Sequence, residues 1–356
     1  MASNWNSKPA TGLTSTKTGN LAPKRPRDER TYPPRGARGE ARKRLDGPPR
    51  FQASGYAGSI EGFDRRISGE RVVVTGATSG IGHAIARDLA RRGARLTLLA
   101  RDEARAAATA AELAAVPGSA GTPDLVSCDL ADLGSVRHAA RELHGRYGAI
   151  DVLINNAGMR SFSPGTTVDG FELMMGTNHL GPFLLTNLLL DSLTASQRAR
   201  VVTTASEAHR MGGRVDLAHL AEPVFSSPAG AERRYGQSKL MNILFTQELA
   251  LRLAETRVTA NCFCPGAVAT GLVRETRALD LGARLLSRTP LLRTPQQGAR
   301  MGVRLVVDPS LAETTGRFFT STPGLGRLGP VSARTDRAYQ REAWERSSAL
   351  VGLGHV

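Results

Sequence analysis

The segment Thr75-Gly76-Ala77-Thr78-Ser79-Gly80-Ile81-Gly82 decides the fold of this 356-residue chain. An apolar run at 71–75 leads into it and an amphipathic stretch at 83–92 follows, which predicts a strand, a glycine-rich turn and a helix. The three glycines permit a tight turn whose backbone N–H groups, together with the helix N-terminus, can approach a pyrophosphate. Their spacing is G-x-x-x-G-x-G, which differs from the G-x-G-x-x-G of the broader dinucleotide-binding fingerprint.

Alternating apolar strands and amphipathic helices continue beyond this turn. The predicted strands are residues 71–75, 95–100, 125–128, 152–155, 201–204 and 259–263. Helices are predicted between them, including 83–92 and a long one at 171–193. Repeated strand–helix units require a parallel sheet with right-handed crossovers and helices on both faces, so the fold class is α/β with one doubly wound, Rossmann-type sheet. Ligands bind such a sheet at the carboxyl ends of its strands.

The first 65 residues differ in composition from the rest, being rich in Pro, Gly, Ser, Thr and Arg. Residues 1–50 carry a net charge of +8, and the whole chain carries +15. Such a segment cannot bury enough apolar surface to offset its ordering entropy, so we predict a disordered basic extension at 1–65 and a single Rossmann-type domain at 66–356. The basic clusters could contact nucleic acid, but aromatic residues for base stacking are sparse there, and we do not expect that partner.

Cysteine usage and hydropathy bear on the compartment. Cys128, Cys262 and Cys264 form an odd set without the spacing of a disulfide framework, which suits a reducing environment. Further ligands near Cys262 and Cys264 are not evident, so we expect core thiols and no metal site. The first 20 residues have no signal-peptide core, and the apolar run at 183–190 is too short to span a bilayer. We therefore expect a cytoplasmic protein without a membrane partner.

The residue after the second predicted strand bears on the choice of nicotinamide cofactor. A carboxylate at this position hydrogen-bonds the adenosine ribose hydroxyls of NAD, whereas a guanidinium can grip a 2′-phosphate. Arg101 occupies the position and favours NADP(H) over NAD(H). Asp102 follows directly and could reach the ribose if the turn were shifted.

Four further segments follow in a specific order. Asn155-Asn156-Ala157-Gly158 ends the fourth strand, Asn178 lies on the long helix, Ser206 closes the fifth strand, and Tyr235 begins a helix that also carries Lys239. In this set the sequence resembles the short-chain dehydrogenase/reductase superfamily over residues 70–350. The resemblance implies a sheet of about seven strands and a catalytic set formed by the asparagine, the serine and the Tyr-x-x-x-Lys pair.

The chemistry of this set fits its spacing. Tyr235 and Lys239 are four residues apart and share one helix face. An unperturbed phenol titrates near ~10, and a neighbouring ammonium, with the positive end of the cofactor, is expected to lower that pKa. Tyr235 is then the proton donor in carbonyl reduction and the base in alcohol oxidation. By the family pattern, Lys239 binds the nicotinamide ribose, Ser206 bonds the substrate oxygen, and Asn178 holds a proton-relaying water.

The resemblance also implies which residues contact the cofactor. They are Gly76, Thr78, Ser79, Gly80, Ile81, Gly82, Arg101, Asp129, Leu130, Asn156, Ala157, Gly158, Tyr235, Lys239, Pro265, Gly266, Val268 and Thr270. Asp129 matches the adenine contact, Pro265-Gly266 the turn beside the carboxamide, and Thr270 a carboxamide or pyrophosphate contact.

Several segments resemble the retinol-dehydrogenase-like branch, which is largely NADP(H)-linked and handles bulky apolar alcohols and carbonyls. They include Leu99-Ala100-Arg101-Asp102, Asn178-His179-Leu180-Gly181 and Ile243-Leu244-Phe245-Thr246-Gln247-Glu248-Leu249. Cys264 departs from the usual histidine, and the insertion at 207–234 is expected to fold over the substrate. A leucine-rich segment at 271–293 falls where the family has a lid, and its leucines could equally pack the domain.

The sequence therefore predicts an NADP(H)-dependent oxidoreductase that interconverts a small hydrophobic alcohol and its ketone or aldehyde. A cofactor-binding sensor or scaffold without turnover is the alternative, and a nucleotide-sugar epimerase or dehydratase is less favoured. The family often pairs its two long helices, here near 171–193 and 235–252, so a homodimer or homotetramer is expected.

Overall fold

The computed structural model describes residues 65–222, 227–268, 293–322, 325 and 328–354. Nearly all of the predicted N-terminal extension lies outside the described residues. Thr270 and the predicted lid, apart from Arg293, also lie outside them.

One parallel sheet forms the centre of the described part, in the strand order β3-β2-β1-β4-β5-β6-β7. The strands are β1 Arg71–Thr75, β2 Arg95–Ala100, β3 Asp124–Ser127, β4 Val152–Asn155, β5 Arg200–Thr204, β6 Thr259–Cys264 and β7 Phe318–Thr320. Every paired neighbour runs parallel. The predicted fold class is confirmed, and the first six strands begin and end within one residue of their predicted bounds.

Helices cover both faces of this sheet. In the described residues they are α1 Gly80–Arg91, α2 Glu103–Ala114, α3 Leu133–Arg146, α4 Leu173–Met175, α5 Gly181–Leu188, α6 Leu190–Thr194, α7 His209–Gly212, α8 Pro228–Arg252, α9 Pro295–Val307 and α10 Arg337–Leu350. The alternation along β1 shows why two layers are needed. Val72 and Val74 pack with α1 and α9 on one face, whereas Val73 belongs to the core on the opposite face, which α3, α5 and α8 cover.

The stretch predicted as one long helix at 171–193 is helical over 173–188 and 190–194, but it is not a single regular α-helix. The segment divides into α4, a π-helical turn at Gly176–Leu180, α5 and α6. Gly176 packs so closely on Thr167 that a Cβ atom at this glycine would lie 2.3 Å from the threonine Cγ2. Pro182, the second residue of α5, has no backbone N–H to donate to the preceding turn. The irregularity of the helix therefore lies around Gly176–Leu180, which hydropathy alone does not indicate.

Helix α10 packs against α8 and covers part of its outer face. Trp344 of α10 is buried, with its ring 4.9 Å from that of Phe183 and 5.7 Å from that of Phe245, centroid to centroid. Phe183 and Phe245 belong to the two segments expected to pair copies of the chain. Pairing through these helices stays a prediction, and it would have to use the residues that α10 leaves uncovered.

Across the described ranges, no helix combines the length and apolar composition needed to cross a membrane. The cytoplasmic location stays a prediction. Cys262 and Cys264 are buried within β6, where core thiols were expected.

Candidate active site

The strand order reverses between β1 and β4, and the glycine-rich turn lies at this point. The Thr75 hydroxyl accepts hydrogen bonds from the backbone N–H groups of Asn156 and Ala157, each at 3.0 Å. In return, the Asn156 amide donates to the carbonyl oxygens of Thr75 at 3.3 Å and Gly76 at 3.4 Å. The carboxyl ends of β1 and β4 are thereby tied together, which fixes the turn that follows β1.

Glycine is required at both ends of this turn. Gly76 has a φ of +69°, and a Cβ atom there would lie 2.8 Å from Ala157 Cα. A Cβ atom at Gly82 would lie 2.2 Å from the carbonyl oxygen of Gly76 and 2.3 Å from Asn156 Nδ2. Within the described chain, the N-cap residue Ser79 makes no side-chain cap bond to α1. The first backbone N–H groups of α1 are therefore available to a phosphate.

A cavity of about 700 Å³ opens at the carboxyl ends of the strands and brings most of the predicted site residues together. Those that line it are Gly76, Thr78, Ser79, Gly80, Ile81, Arg101, Asp129, Leu130, Asn156, Ala157, Gly158, Ser206, Tyr235, Lys239, Pro265, Gly266 and Val268. Gly82 lies beneath the turn and Asn178 lies behind the wall, so neither is among the lining residues. The glycine-rich turn and the Tyr-x-x-x-Lys pair thus line the same cavity.

Tyr235 and Lys239 lie deeper along their helix than predicted. Helix α8 begins at Pro228 with Ser227 as its N-cap, so Tyr235 is its eighth residue and not its start. Lys239 Nζ lies 5.8 Å from the Tyr235 ring centroid and donates to the carbonyl oxygen of Thr204 at 3.2 Å. The Ser206 hydroxyl lies close enough to the Tyr235 phenol to lower its pKa. The three side chains line one cavity just beyond β5; spacing predicted the proximity of Tyr235 and Lys239, and the family resemblance implied that of Ser206.

Asn178 supports this arrangement from the π-helical turn. Its amide nitrogen donates to Met159 O at 2.9 Å and to Ser238 Oγ at 3.0 Å, and its oxygen accepts from Met159 N at 2.7 Å. A Cβ atom at Gly158 would lie 3.2 Å from both Asn178 Oδ1 and Lys239 Nζ. Asn178 therefore holds the segment after β4 against α8, and its role in proton relay stays a prediction. Single π-helical turns of this kind are frequent at functional sites.

Burial is the largest cause of the shifted pKa values of Tyr235 and Lys239. Burial raises the pKa of Tyr235 to about 12, with Cys264 raising it further, whereas the Arg160 guanidinium and the nearby Ser206 hydroxyl lower it. Burial also lowers the pKa of Lys239 to about 8. The expected lowering of the tyrosine pKa is thus outweighed, because a buried phenolate loses its solvation. At neutral pH the protein groups favour the protonated phenol, the form that donates a proton in carbonyl reduction.

The far end of the cavity contains a cation that the sequence reasoning missed. Arg105 lines the cavity beside Arg101, and its guanidinium lies 3.5 Å from the carbonyl oxygen of Thr78 in the glycine turn. Asp102 is the N-cap of α2, where its carboxylate accepts the backbone N–H of Arg105 at 3.0 Å. An aspartate placed directly before a helix-forming run is a recognisable N-cap, and it sets Arg105 in the first turn of α2.

The opposite end contains a pair of charged residues that was also missed. Arg160, from the segment after β4, pairs with Glu232 of α8, and both line the cavity. Of the insertion at 207–234, Ala208, Met211 and Glu232 line the cavity as well. Val215, Leu217 and Leu220 instead pack into a core cluster with residues of α8 and α10. The described part of the insertion therefore does not fold over the cavity as a whole.

Comparison with known proteins shows the family of the chain. Residues 70–220 match the family described as short chain dehydrogenase. Human retinol dehydrogenase 13 is 37% identical to the chain over 294 residues, which cover 81% of this chain and 86% of the human protein. The chain belongs to the short-chain dehydrogenase/reductase family. Its similarity to retinol dehydrogenases confirms the predicted resemblance to that branch. Membership of the family makes the chain an oxidoreductase, and the names of its relatives are consistent with interconversion of alcohols and carbonyl compounds.

Solved structures of the short-chain dehydrogenase/reductase fold superpose on the chain. An uncharacterised protein from Mycobacterium paratuberculosis has a TM-score of 0.64 at 33% identity, covering 83% of this chain and 97% of its own. A short chain dehydrogenase from Burkholderia cenocepacia, solved in complex with NADP, has a TM-score of 0.57 at 26% identity. That alignment covers 72% of this chain and 97% of the other.

Proposed function

We propose that this member of the short-chain dehydrogenase/reductase family interconverts a hydrophobic alcohol and its ketone or aldehyde with NADP(H), with Tyr235 as the acid/base. One observation carries the proposal. Ser206, Tyr235 and Lys239 line the same cavity as the glycine turn and the open N-terminus of α1. A dinucleotide held at the turn would extend toward the three polar side chains, which is the arrangement that hydride transfer to a nearby carbonyl requires.

Each side chain has a distinct task in this reaction. When bound, NADPH would supply the hydride for the carbonyl carbon. The Ser206 hydroxyl orients the carbonyl oxygen, and the Tyr235 phenol donates the proton that completes the alcohol. Lys239, held by the Thr204 carbonyl, lies where it can bind the nicotinamide ribose. In the oxidative direction the Tyr235 phenolate would accept the hydroxyl proton, and NADP⁺, when bound, would take up the hydride that leaves the alcohol carbon.

The preference for NADP(H) rests on the charges around the glycine turn. Arg101 and Arg105 line the cavity together, and two guanidinium groups suit a 2′-phosphate. The Asp102 carboxylate is engaged in capping α2, which removes the main competitor for the ribose hydroxyls. A family member solved with NADP supports the same choice.

The proposed substrate class depends on the apolar residues that line the cavity. Met159, Ala208 and Met211 add apolar surface to the cavity lining, and burying apolar substrate surface there contributes roughly 25 cal/mol per Å². Relatives named as retinol dehydrogenases support an apolar substrate. The segment at 269–292, where the lid was predicted, lies outside the described residues and carries no part of this proposal.

The test is oxidation of NADPH, with NADH in parallel, against a panel of hydrophobic ketones and aldehydes. Wild type and Tyr235→Phe are compared, with binding of NADPH measured for both. Turnover that prefers NADPH and that Tyr235→Phe abolishes without loss of NADPH affinity is the expected result. Turnover retained by Tyr235→Phe contradicts the role of Tyr235, and NADPH binding without turnover of any carbonyl favours the sensor alternative.

A further inference from the structure

A second cation lies as close to Tyr235 as the lysine of the Tyr-x-x-x-Lys pair. The Arg160 guanidinium carbon is 5.6 Å from the Tyr235 ring centroid, against 5.8 Å for Lys239 Nζ. Arg160 comes from the segment after β4, whereas Lys239 belongs to the same helix as Tyr235. Two positive side chains therefore approach the phenol from different elements.

Arg160 is held in this position by contacts on several sides. One Nη pairs with Glu232, which precedes Tyr235 by three residues and shares its helix face. The guanidinium also lies 5.3 Å from the Phe162 ring centroid. Its Nε is buried and has no hydrogen-bond partner among the described residues. The charge is thus fixed beside the phenol and only partly offset by a carboxylate.

The two cations differ in the pH range over which they keep their charge. A guanidinium stays protonated throughout the range in which tyrosine titrates. Burial lowers the pKa of Lys239 to about 8, so the lysine charge is lost on the alkaline side. Among the described residues, Arg160 is the charged group that lowers the pKa of Tyr235, and Cys264 at the end of β6 raises it. Glu207 and Arg210, beyond Ser206, pair with each other.

We propose that Arg160 is a positioning residue for proton transfer, whose fixed charge stabilises the Tyr235 phenolate, and that Glu232 holds this guanidinium and offsets part of its charge. The inference rests on the proposed role of Tyr235 as acid/base. Arg160 and Glu232, which are 72 positions apart in the sequence, would then control how readily the Tyr235 phenol releases its proton. The consequence is greatest in alcohol oxidation, where the phenolate is the reactive form.

The first test is the pH profile of kcat for alcohol oxidation in Arg160→Met, which has a side chain of similar length without charge. The rise of kcat with pH should move to higher pH in this variant. Near neutral pH, kcat should fall roughly tenfold, which is the effect of a rise of one unit in the pKa of Tyr235. KM for the cofactor should stay unchanged. Arg160→Lys should restore most of the profile. Arg141→Met, which removes the same charge from the exposed surface of α3, should leave the profile as in wild type.

Glu232→Gln supplies a prediction of opposite sign. Removing the carboxylate leaves the Arg160 charge less compensated, so the alkaline rise should move to lower pH. A purely structural role for the pair would move both variants in the same direction, or change only stability and KM. That result overturns the inference, as does an unchanged profile in a folded Arg160→Met protein. If instead Tyr235→Phe retains turnover, the proposed function itself fails, so the two failures are distinguishable.

A readout independent of turnover completes the test. The ultraviolet absorbance of the Tyr235 phenolate is isolated as the difference between each protein and the same protein carrying Tyr235→Phe, titrated up to the onset of alkaline unfolding. Phenolate should form at higher pH in Arg160→Met than in wild type, and at lower pH in Glu232→Gln. Coincident titrations for the three proteins overturn the inference.

Discussion

Gly82→Ala should destabilise the protein, although alanine is the better helix former. In an exposed helix, Gly→Ala gains up to about 1 kcal/mol. At Gly82 the new Cβ atom would lie 2.2 Å from the Gly76 oxygen and 2.3 Å from Asn156 Nδ2. Neither atom can yield freely, because the Asn156 amide bonds the Thr75 and Gly76 carbonyl groups. Overpacking of this kind costs about 1–3 kcal/mol or more, so a net loss of about 2 kcal/mol is expected.

Gly145→Ala is the matched control, because a Cβ atom at this exposed glycine in the last turn of α3 meets nothing within 4 Å. It should raise the free energy of unfolding, measured in urea, by up to about 1 kcal/mol. Fluorescence titration should show NADPH binding weakened about tenfold or more by Gly82→Ala and unchanged by Gly145→Ala. If Gly82→Ala proves as stable as the control and binds NADPH as wild type does, the reasoning about the turn is refuted.

Three further predictions concern the core, acid stability and cofactor choice. Trp344→Ala should lower the free energy of unfolding by about 3–5 kcal/mol, since it removes a ring packed against both Phe183 and Phe245; a loss below about 1 kcal/mol would contradict this. Burial lowers the pKa of His179 to about 3, below the unfolded value, so its contribution to stability is complete above about pH 6.5 and is lost as the pH falls toward 3. Between pH 7 and pH 5, the free energy of unfolding measured in urea should therefore fall by about 2 kcal/mol less in His179→Gln than in wild type. An equal fall in both proteins would contradict the lowered pKa of His179. Arg105→Ala should weaken NADPH at least tenfold more than NADH in binding titrations, whereas equal losses would remove the 2′-phosphate argument.

Much of the fold is readable from local sequence for a physical reason. Parallel strands covered on both faces are continuous apolar runs, and β1 and β4 could be located by that property. The glycine turn was equally readable, because a positive φ at Gly76 and the close approach at Gly82 restrict both positions to glycine. Strand β7 has only three residues, Phe318–Thr320, and no pattern of that length is diagnostic.

Features that depend on distant contacts were not readable. The π-helical turn begins at Gly176, which packs closely on Thr167, and hydropathy carries no trace of that contact. The start of α8 is a different case, because its signal is local: Ser227 and Pro228 form a recognisable N-cap and first helical position that the sequence reading missed. The Arg160–Glu232 pair joins two segments far apart in the sequence, and neither residue is distinctive alone.

The same division holds within the site. The four-residue spacing of Tyr235 and Lys239 ensured that they would meet, because one helix turn fixes their separation. Their pKa values could not be read in the same way, since burial of Tyr235 raises its pKa more than the neighbouring groups lower it. Burial is a property of the packed domain, to which α5, α8 and α10 all contribute, so it becomes visible only in three dimensions.

The most direct measurement of the central claim follows the hydride itself. NADPH deuterated at the transferable position of the nicotinamide is incubated with an accepted ketone or aldehyde and the wild-type protein, and the alcohol is examined by mass spectrometry. The account predicts one deuterium at the former carbonyl carbon with wild type, and no alcohol with Tyr235→Phe. Alcohol without deuterium, or deuterated alcohol formed equally well by Tyr235→Phe, would contradict it.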